Sequence, residues 1–276
     1  MTADSQLSRR NDALMRWYSS ERRELPWRSD PDPYVTLVSE TMLQQTQVSR
    51  VIPKFLDFID RWPTVEDLAA SQPSEVLAVW SGLGYNSRAL RLREAALIVA
   101  ESGWPTSVKA LQALPGVGPY TASAIAAIAF GDRLAAVDTH LKRVLSRWEG
   151  VPLTGRELED VANGLVVDPA GDWNQALMDL GATLCRPSRP RCPECPVREW
   201  CADPTVYEPP PRQSAFEGSG RELRGALVRA GIAGEDLEEV GTALGRSKDE
   251  VVETIAALRS EGLLPAEDSP HHATKR

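Results

Sequence analysis

The sequence predicts an all-α protein. Three observations carry that expectation: apolar residues recur at helical spacing along most of the chain, convincing alternating strand segments are missing from its main body, and prolines and glycines punctuate the periodic stretches. A length of 276 residues leaves ample chain to bury a core in one or two domains.

In chain order, helices of modest length are expected over residues 35–50, 52–61, 64–69, 73–80, 87–102, 107–112, 119–130, 138–149, 155–164 and 173–183. Turn signals separate them at Pro63, Gly82-Leu83-Gly84, Pro105, Pro115-Gly116 and Pro152. A cysteine-bearing segment follows, then Asp203-Pro204 and Glu208-Pro209-Pro210-Pro211, a stiff linker by composition. Residues 219–230, 233–244 and 248–260 carry three short helical patterns, with Gly245-Arg246-Ser247 as a turn and N-cap and Gly262-Leu263-Leu264 as a short strand. Three helices and a strand suggest a small winged-helix-like module; a helical appendage for stability or partner docking is the plainer reading. Residues 269–276 are expected to be a disordered tail, in which His271 and His272 have no assigned role.

The formal net charge of −8 argues weakly against a polyanionic partner, but the acidity is uneven. From Ala202 onward nine Lys/Arg face fourteen Asp/Glu, which leaves the first 201 residues near balance. Basic residues also cluster, as Lys142, Arg143 and Arg147 and as Arg186, Arg189, Arg191 and Arg198, and local patches rather than overall charge make phosphate contacts. No apolar run reaches the ~18 residues that a membrane span requires. The chain is therefore read as a soluble, cytoplasmic protein with no membrane contact, and a monomer is expected.

Every cysteine lies in one segment, Cys185, Cys192, Cys195 and Cys201, spaced C-x6-C-x2-C-x5-C. Four thiols so crowded read as ligands of one inorganic centre, and sulfur ligation suits iron–sulfur clusters and zinc alike. Zinc sites usually pair their ligands as two short knuckles. Here one C-x2-C stands between unequal gaps, which favours a [4Fe-4S] cluster. Disulfides are the weaker alternative, since no signal peptide is read and a chain of this size needs no stapling.

Leu114-Pro115-Gly116-Val117-Gly118-Pro119 separates a short helix from a long apolar one. Gly116 and Gly118 bracket Val117, which permits tight, close-approach backbone geometry. The helix that follows offers free N–H groups and its positive dipole end to an anion. This is a helix-hairpin-helix signature, a device that grips a DNA phosphate without reading sequence. An ordinary αα-turn would use the same residues.

With the hairpin and the cysteines stand Leu25-Pro26-Trp27-Arg28, Pro33-Tyr34, Ser39-Glu40-Thr41-Met42-Leu43-Gln44-Gln45-Thr46-Gln47-Val48, Trp80-x-Gly82-Leu83-Gly84-Tyr85 and Asn174-Gln175-Ala176-Leu177-Met178-Asp179-Leu180-Gly181-Ala182. From about residue 10 to Ala202 the chain resembles the iron–sulfur branch of the helix-hairpin-helix DNA glycosylase superfamily, and within it the adenine DNA glycosylases of the MutY type. The stretch around Glu40 is the most specific part, because endonuclease III relatives differ there. The resemblance implies a six-helix barrel domain over 28–136 that carries the hairpin, and an iron–sulfur helical domain built from 1–27 and 137–202. A linker over 203–215 and the winged-helix-like domain over 216–268 would follow.

Excising adenine breaks a glycosidic bond, and neutral adenine is a poor leaving group. The reaction asks for a proton on the departing base and negative charge beside the sugar cation, which two carboxyl groups of divergent pKa supply. The resemblance implies that Glu40 protonates the adenine ring and that Asp138 steadies the oxocarbenium-like centre. The bland readings are a solvated surface glutamate and a plain helix N-cap. Tyr120 falls where endonuclease III-type lyases carry a nucleophilic lysine, and a phenol forms no Schiff base, so base removal without strand cleavage is expected. Tyr85 is implied as a wedge entering the duplex when the base leaves the stack, with a packing tyrosine as the alternative. Gln45 and Thr46 are implied as contacts to the opposite base, and Arg28, Leu43 and Gln175 as the adenine pocket. The expected partner is double-stranded DNA holding a mismatch or an oxidised guanine.

Three departures from the family pattern matter. His140 stands where the adenine enzymes usually carry Asn, and a buried, hydrogen-bonded structural histidine is the favoured account of it. Asn86 replaces a second tyrosine after Tyr85. The final seventy residues do not resemble the Nudix-like domain and its Phe-Ser-His loop that read 8-oxoguanine in the family. These departures leave two rival readings open: a glycosylase of the same fold for mismatched thymine or uracil or for alkylated adenine, and a non-catalytic iron–sulfur DNA-binding regulator.

Overall fold

The structure is a computed structural model that describes residues 3–209 and 213–265, with side chains from residue 6 onward. Among the described residues there is no strand. The helices are α1 (Ala3–Glu21), α2 (Pro33–Leu43), α3 (Val48–Arg61), α4 (Val65–Ala70), α5 (Pro73–Trp80), α6 (Ser87–Ser102), α7 (Val108–Leu111), α8 (Pro119–Ala129), α9 (Thr139–Glu149), α10 (Gly155–Leu165), α11 (Ala170–Thr183), α12 (Gly220–Ala233), α13 (Leu237–Ala243) and α14 (Lys248–Ser260). Two compact units emerge, each made of two chain segments: Met1–Gln44 with Ser102–Pro211, and Gln45–Glu101 with Arg212–Arg276.

In the first unit α11 packs against α1, α8 and α9, while α8 also packs against α2. The small side chains of α8 explain that double role. Ala122, Ala124, Ala126 and Ala127 are all buried, so neighbouring helix backbones approach closely. The surrounding core gathers Leu14, Leu141, Val144, Trp173, Leu177 and Leu180. Helix α2 starts on Pro33 after the N-cap Asp32, whose Oδ1 accepts from the Tyr34 and Val35 N–H groups at 2.7 and 3.2 Å. Nearly all of it from Tyr34 to Met42 is buried, Glu40 included.

In the second unit α5 packs against both α3 and α12, and α12, α13 and α14 pack mutually. The three C-terminal helices form as the sequence predicts, but the short strand does not. Gly262, at φ 72°, reverses the chain after α14, and Leu263 and Leu264 become buried core residues without strand pairing. The module is a three-helix bundle lacking the strand that a wing would need among its described residues. The expected tail over 269–276, with His271 and His272, and Pro210-Pro211 of the linker lie outside the described residues.

Two further differences concern the N-terminal half. The helix over Ala3–Glu21 is not in the sequence-based set. The segment expected as one helix over 35–50 is instead α2 and the start of α3, parted at Gln44–Gln47, where Gln45 takes a left-handed backbone at φ 55°. Neither Gly nor Pro marks that break, which is why helical periodicity ran through it.

Candidate active site

The first unit brings Glu40, Tyr120 and Asp138 together. Glu40 sits on α2 with 7% of its surface exposed, and its Oε2 accepts a hydrogen bond from the Tyr120 hydroxyl at 2.8 Å. Burial pushes the Glu40 carboxyl up to about 7; the Tyr120 bond opposes that rise, the nearby Asp138 charge adds to it, and Arg28 opposes it. Glu40 is thus a buried acid that carries its proton near neutrality. The Tyr120 phenol moves well above its usual range, first through burial and then through Glu40 and Asp138, so it remains a donor.

Asp138 is the N-cap of α9, and its Oδ1 accepts from the Leu141 N–H at 2.7 Å. Burial raises its pKa, but His140, the backbone N–H groups of Leu141 and His140, and Arg143 all favour its charged form. Burial outweighs them, so the Asp138 pKa lies above the ordinary value although helix N–H groups and cationic neighbours favour its charge. The plain N-cap reading of Asp138 is thus met in the structure.

The loop that delivers Asp138 is stapled by a residue without an assigned role in the sequence. Asn174, fully buried on α11, accepts from the Ala136 N–H at 2.7 Å and donates to the Leu134 carbonyl at 3.0 Å. His140 is half-buried, and the Arg143 guanidinium lies 3.1 Å from its Nδ1. Burial, opposed by Asp138 and reinforced by Arg143, keeps its pKa low. Gly181 makes this possible: a Cβ there would stand 2.6 Å from the His140 Cβ.

Arg28 is held by a carboxylate. Its guanidinium forks onto Asp179 at 2.7 and 2.9 Å, and Arg23 adds a side-chain bond at 2.5 Å and a backbone bond at 3.0 Å to the same group. Burial works against the Asp179 charge, yet the two arginines hold its carboxyl below the ordinary range. Arg28 thereby becomes a fixed positive charge within electrostatic reach of Glu40. Gln175 accepts from the buried Tyr18 hydroxyl at 2.8 Å, and Leu43 is half-buried one turn beyond Glu40.

The hairpin opens α8, the helix that carries Tyr120. Gly116 turns the chain at φ 78°, Val117 is buried, and Gly118 and Pro119 lie exposed at the helix start. A Cβ on Gly118 would meet no atom within 4 Å, so its backbone faces open space.

The four cysteines are free thiols lining one cavity of 280 Å³ together with Trp148, Leu184 and Arg198. Burial and then the neighbouring thiols push Cys201 up to about 11, and burial brings Cys195 to the same value. Cys195 and Cys201 therefore favour their thiolate forms only when positive charge enters the cavity. Among the described residues no three His, Cys, Asp or Glu side chains are gathered closely enough to hold a single metal ion. The basic cluster expected at phosphates turns inward instead. Arg147 is buried and donates to the carbonyls of Arg186, Pro187 and Val206 and to the Cys185 Sγ at 3.1 Å. Arg143 donates to the carbonyls of Cys185 and Gly181, and Lys142 pairs with Glu208.

In the second unit Thr46 and Tyr85 share a platform. The Thr46 hydroxyl reaches the Leu83 carbonyl at 3.4 Å, and the half-turned loop Gly82–Tyr85 has three left-handed residues, at φ 94°, 75° and 47°. Beneath it the Arg88 guanidinium donates to the Gly84 carbonyl at 3.0 Å and stacks on the Trp80 and Tyr85 rings. Tyr85 remains 43% exposed, and a left-handed backbone at a bulky side chain costs roughly 1–3 kcal/mol, a strain typical of working sites.

A family model described as the HhH-GPD superfamily base excision DNA repair protein matches residues 38–163. The human adenine DNA glycosylase is 46% identical over 209 residues, covering 68% of this chain and 38% of the human protein. The adenine DNA glycosylase of Mycobacterium tuberculosis is 40% identical over 231 residues, covering 78% of this chain and 76% of that protein. The chain spans about two fifths of the length of its human, rat and mouse relatives. Among solved structures, a thermostable thymine-DNA glycosylase superposes with a TM-score of 0.67 at 30% identity, covering 73% of this chain and 98% of that one. A trapped endonuclease III–DNA intermediate superposes at 0.62 with 22% identity, covering 74% and 98%.

Proposed function

The chain belongs to the adenine DNA glycosylase family, and we propose that it removes adenine mispaired with 8-oxoguanine or guanine from duplex DNA by hydrolysing the N-glycosidic bond, with no lyase step. One observation carries the reading: the buried Glu40 carboxyl, pushed up to about 7 and bonded to Tyr120, lies within electrostatic reach of a second carboxyl, Asp138, that accepts from a helix N–H at the start of α9. Glu40 supplies the proton that turns adenine into a leaving group, and the Asp138 carboxylate faces the positive charge that develops on the sugar. Tyr120 donates to Glu40 and holds it in place; as a phenol it leaves the sugar without a covalent partner, so the strand stays intact. Gly116 and Gly118 offer backbone N–H groups to a phosphate, with Val117 holding the turn between them through its N–H to the Leu114 carbonyl, while Tyr85, Gln45 and Thr46 meet the opened duplex.

The cysteine cavity fits a [4Fe-4S] cluster better than zinc. All four thiols line one cavity of 280 Å³, room for a centre of several atoms ringed by sulfur. Such a cluster would supply the positive charge that turns Cys185, Cys192, Cys195 and Cys201 into thiolate ligands. Arg147 and Arg143 already fix the backbone around Cys185 for that purpose.

Duplexes containing A·8-oxoG or A·G, incubated with the protein and then with alkali, should be nicked at the adenine, and nicks without alkali should be absent. Glu40→Gln should reduce the single-turnover rate by about 10²–10⁴-fold. Equal silence of wild type and Glu40→Gln on every adenine duplex would reject the proposal. The likeness to a thymine-DNA glycosylase favours mismatched thymine as the second reading, and a T·G duplex in the same panel separates the two.

A further inference from the structure

The second unit carries a contact that the family pattern does not account for. Gln213, just before the C-terminal three-helix module, donates from Nε2 to the Gln45 Oε1 at 2.7 Å and lies 3.5 Å from the Tyr85 hydroxyl. Its own orientation is fixed from behind. Arg221, in the first turn of α12, donates to the Gln213 Oε1 at 2.8 Å and to the Ser214 carbonyl at 2.6 Å. An arginine has no acceptor, so the Gln213 oxygen must face Arg221 and its NH2 must face Gln45. Helix α12 in turn packs on α5, so the arginine is carried by a helix seated within the same unit.

Gln45 and Tyr85 are two of only three non-glycine residues with positive φ among the described residues, and Gln213 meets both. All three side chains are exposed. The result is an outward-facing polar patch built from three separate stretches of chain: the α2–α3 loop, the glycine-rich turn and the start of the C-terminal module. A carboxamide presents a coplanar donor and acceptor, the pattern that matches the hydrogen-bonding edge of a nucleobase.

We propose that Gln213, held by Arg221, is a specificity-determining residue that contacts the purine opposite the excised adenine, so that the C-terminal module shares in reading that base. This rests on the adenine-excision reading given above. The amide N–H groups of Gln213 suit a carbonyl acceptor, which guanine and 8-oxoguanine both present and which cytosine presents at a different place. In the absence of duplex the Gln45 oxygen takes that acceptor's position.

The test uses the full chain with Gln213→Ala, Gln213→Glu, Arg221→Ala and, as a control in the same module, Arg224→Ala, which breaks only the ion pair to Glu261. Single-turnover excision is measured on A·8-oxoG, A·G and A·C duplexes. Binding is measured on duplexes with an abasic site opposite 8-oxoguanine, guanine or cytosine. The expected result is a loss of about tenfold in excision and binding opposite the two purines, with cytosine duplexes unchanged. Gln213→Glu, which swaps donor for acceptor, should lose as much as the alanine variant, and Arg224→Ala should match wild type. Equal changes on all duplexes, a uniform gain in rate or no change would overturn the proposal. A wild type that excises no adenine would reject the proposed function instead, and the ratio of abasic-site affinities would still decide the role of Gln213.

Discussion

Glu40, the proposed proton donor, carries one titration whose effect on stability has a definite sign. The folded carboxyl titrates near 7 and the unfolded one near 4.5, so ionised Glu40 opposes folding. That cost is absent below pH 4.5, grows through the interval and is complete above pH 7, where it amounts to about 3 kcal/mol. Glu40→Gln keeps an oxygen acceptor for Tyr120 and abolishes the titration. The variant should therefore be inactive yet more stable than wild type at pH 8, by about 1–3 kcal/mol, with little difference near pH 4.5. Denaturant unfolding at the two pH values checks this; equal stabilities at pH 8 would show that the buried acid is not strained. Activity should fall as pH rises through 7, because the proton on Glu40 is lost. Tyr120→Phe removes a bond that favours the charged form, so the same fall should move to higher pH, which a pH–rate profile would register. At this scale the nearness of Glu40 and Asp138 was an expectation of the family resemblance, and the structure brings the two within electrostatic reach. The surroundings of Arg28 were not. Its partner Asp179 lies 151 positions away, and nothing local marks two residues for a buried ion pair.

At the scale of elements, the helices with sharp caps were the readable ones: α4, α5 and α6 begin and end near Pro, Ser or Thr signals. The break between α2 and α3 was illegible because Gln44–Gln47 has ordinary helix-forming residues; a platform with Leu83 across the unit selects the turn there. Helix α11 shows how tertiary context reverses a local rule. Glycine in a helix interior normally costs about 1 kcal/mol relative to alanine, which predicts a more stable Gly181→Ala. Here the added Cβ would lie 2.6 Å from the His140 Cβ and 2.9 Å from its Nδ1, on the residue two positions beyond Asp138. The substitution should instead destabilise by about 1–3 kcal/mol and lower the excision rate with it. Thermal unfolding gives the sign directly. Gly241→Ala, whose Cβ would stand 2.3 Å from the Val251 Cγ2, should destabilise the C-terminal bundle in the same way while touching no candidate site residue.

At the scale of the whole molecule, each unit is closed by two stretches of chain far apart in sequence, which neither composition nor periodicity announces. The cysteine segment belongs wholly to the first of them. Cys185, Cys195, Cys201 and Trp200 pack against a core shared with Leu184, Val197, Trp148 and Leu180. Arg147, from α9, ties that segment's carbonyls to the same core. Ligand binding by an unfolded chain is weak, so a centre held by those thiols stabilises the folded form by its own binding free energy. The loss on removing a ligand should stay where its contacts lie. Cys195→Ser should therefore speed amide hydrogen exchange across α9, α11 and residues 185–209, whereas α3, α5, α12 and α14 should keep their protection. Iron content and visible absorbance of wild type and variant show whether the proposed cluster is present and then lost. Equal loss of protection in α5, α12 and α9 would overturn this prediction.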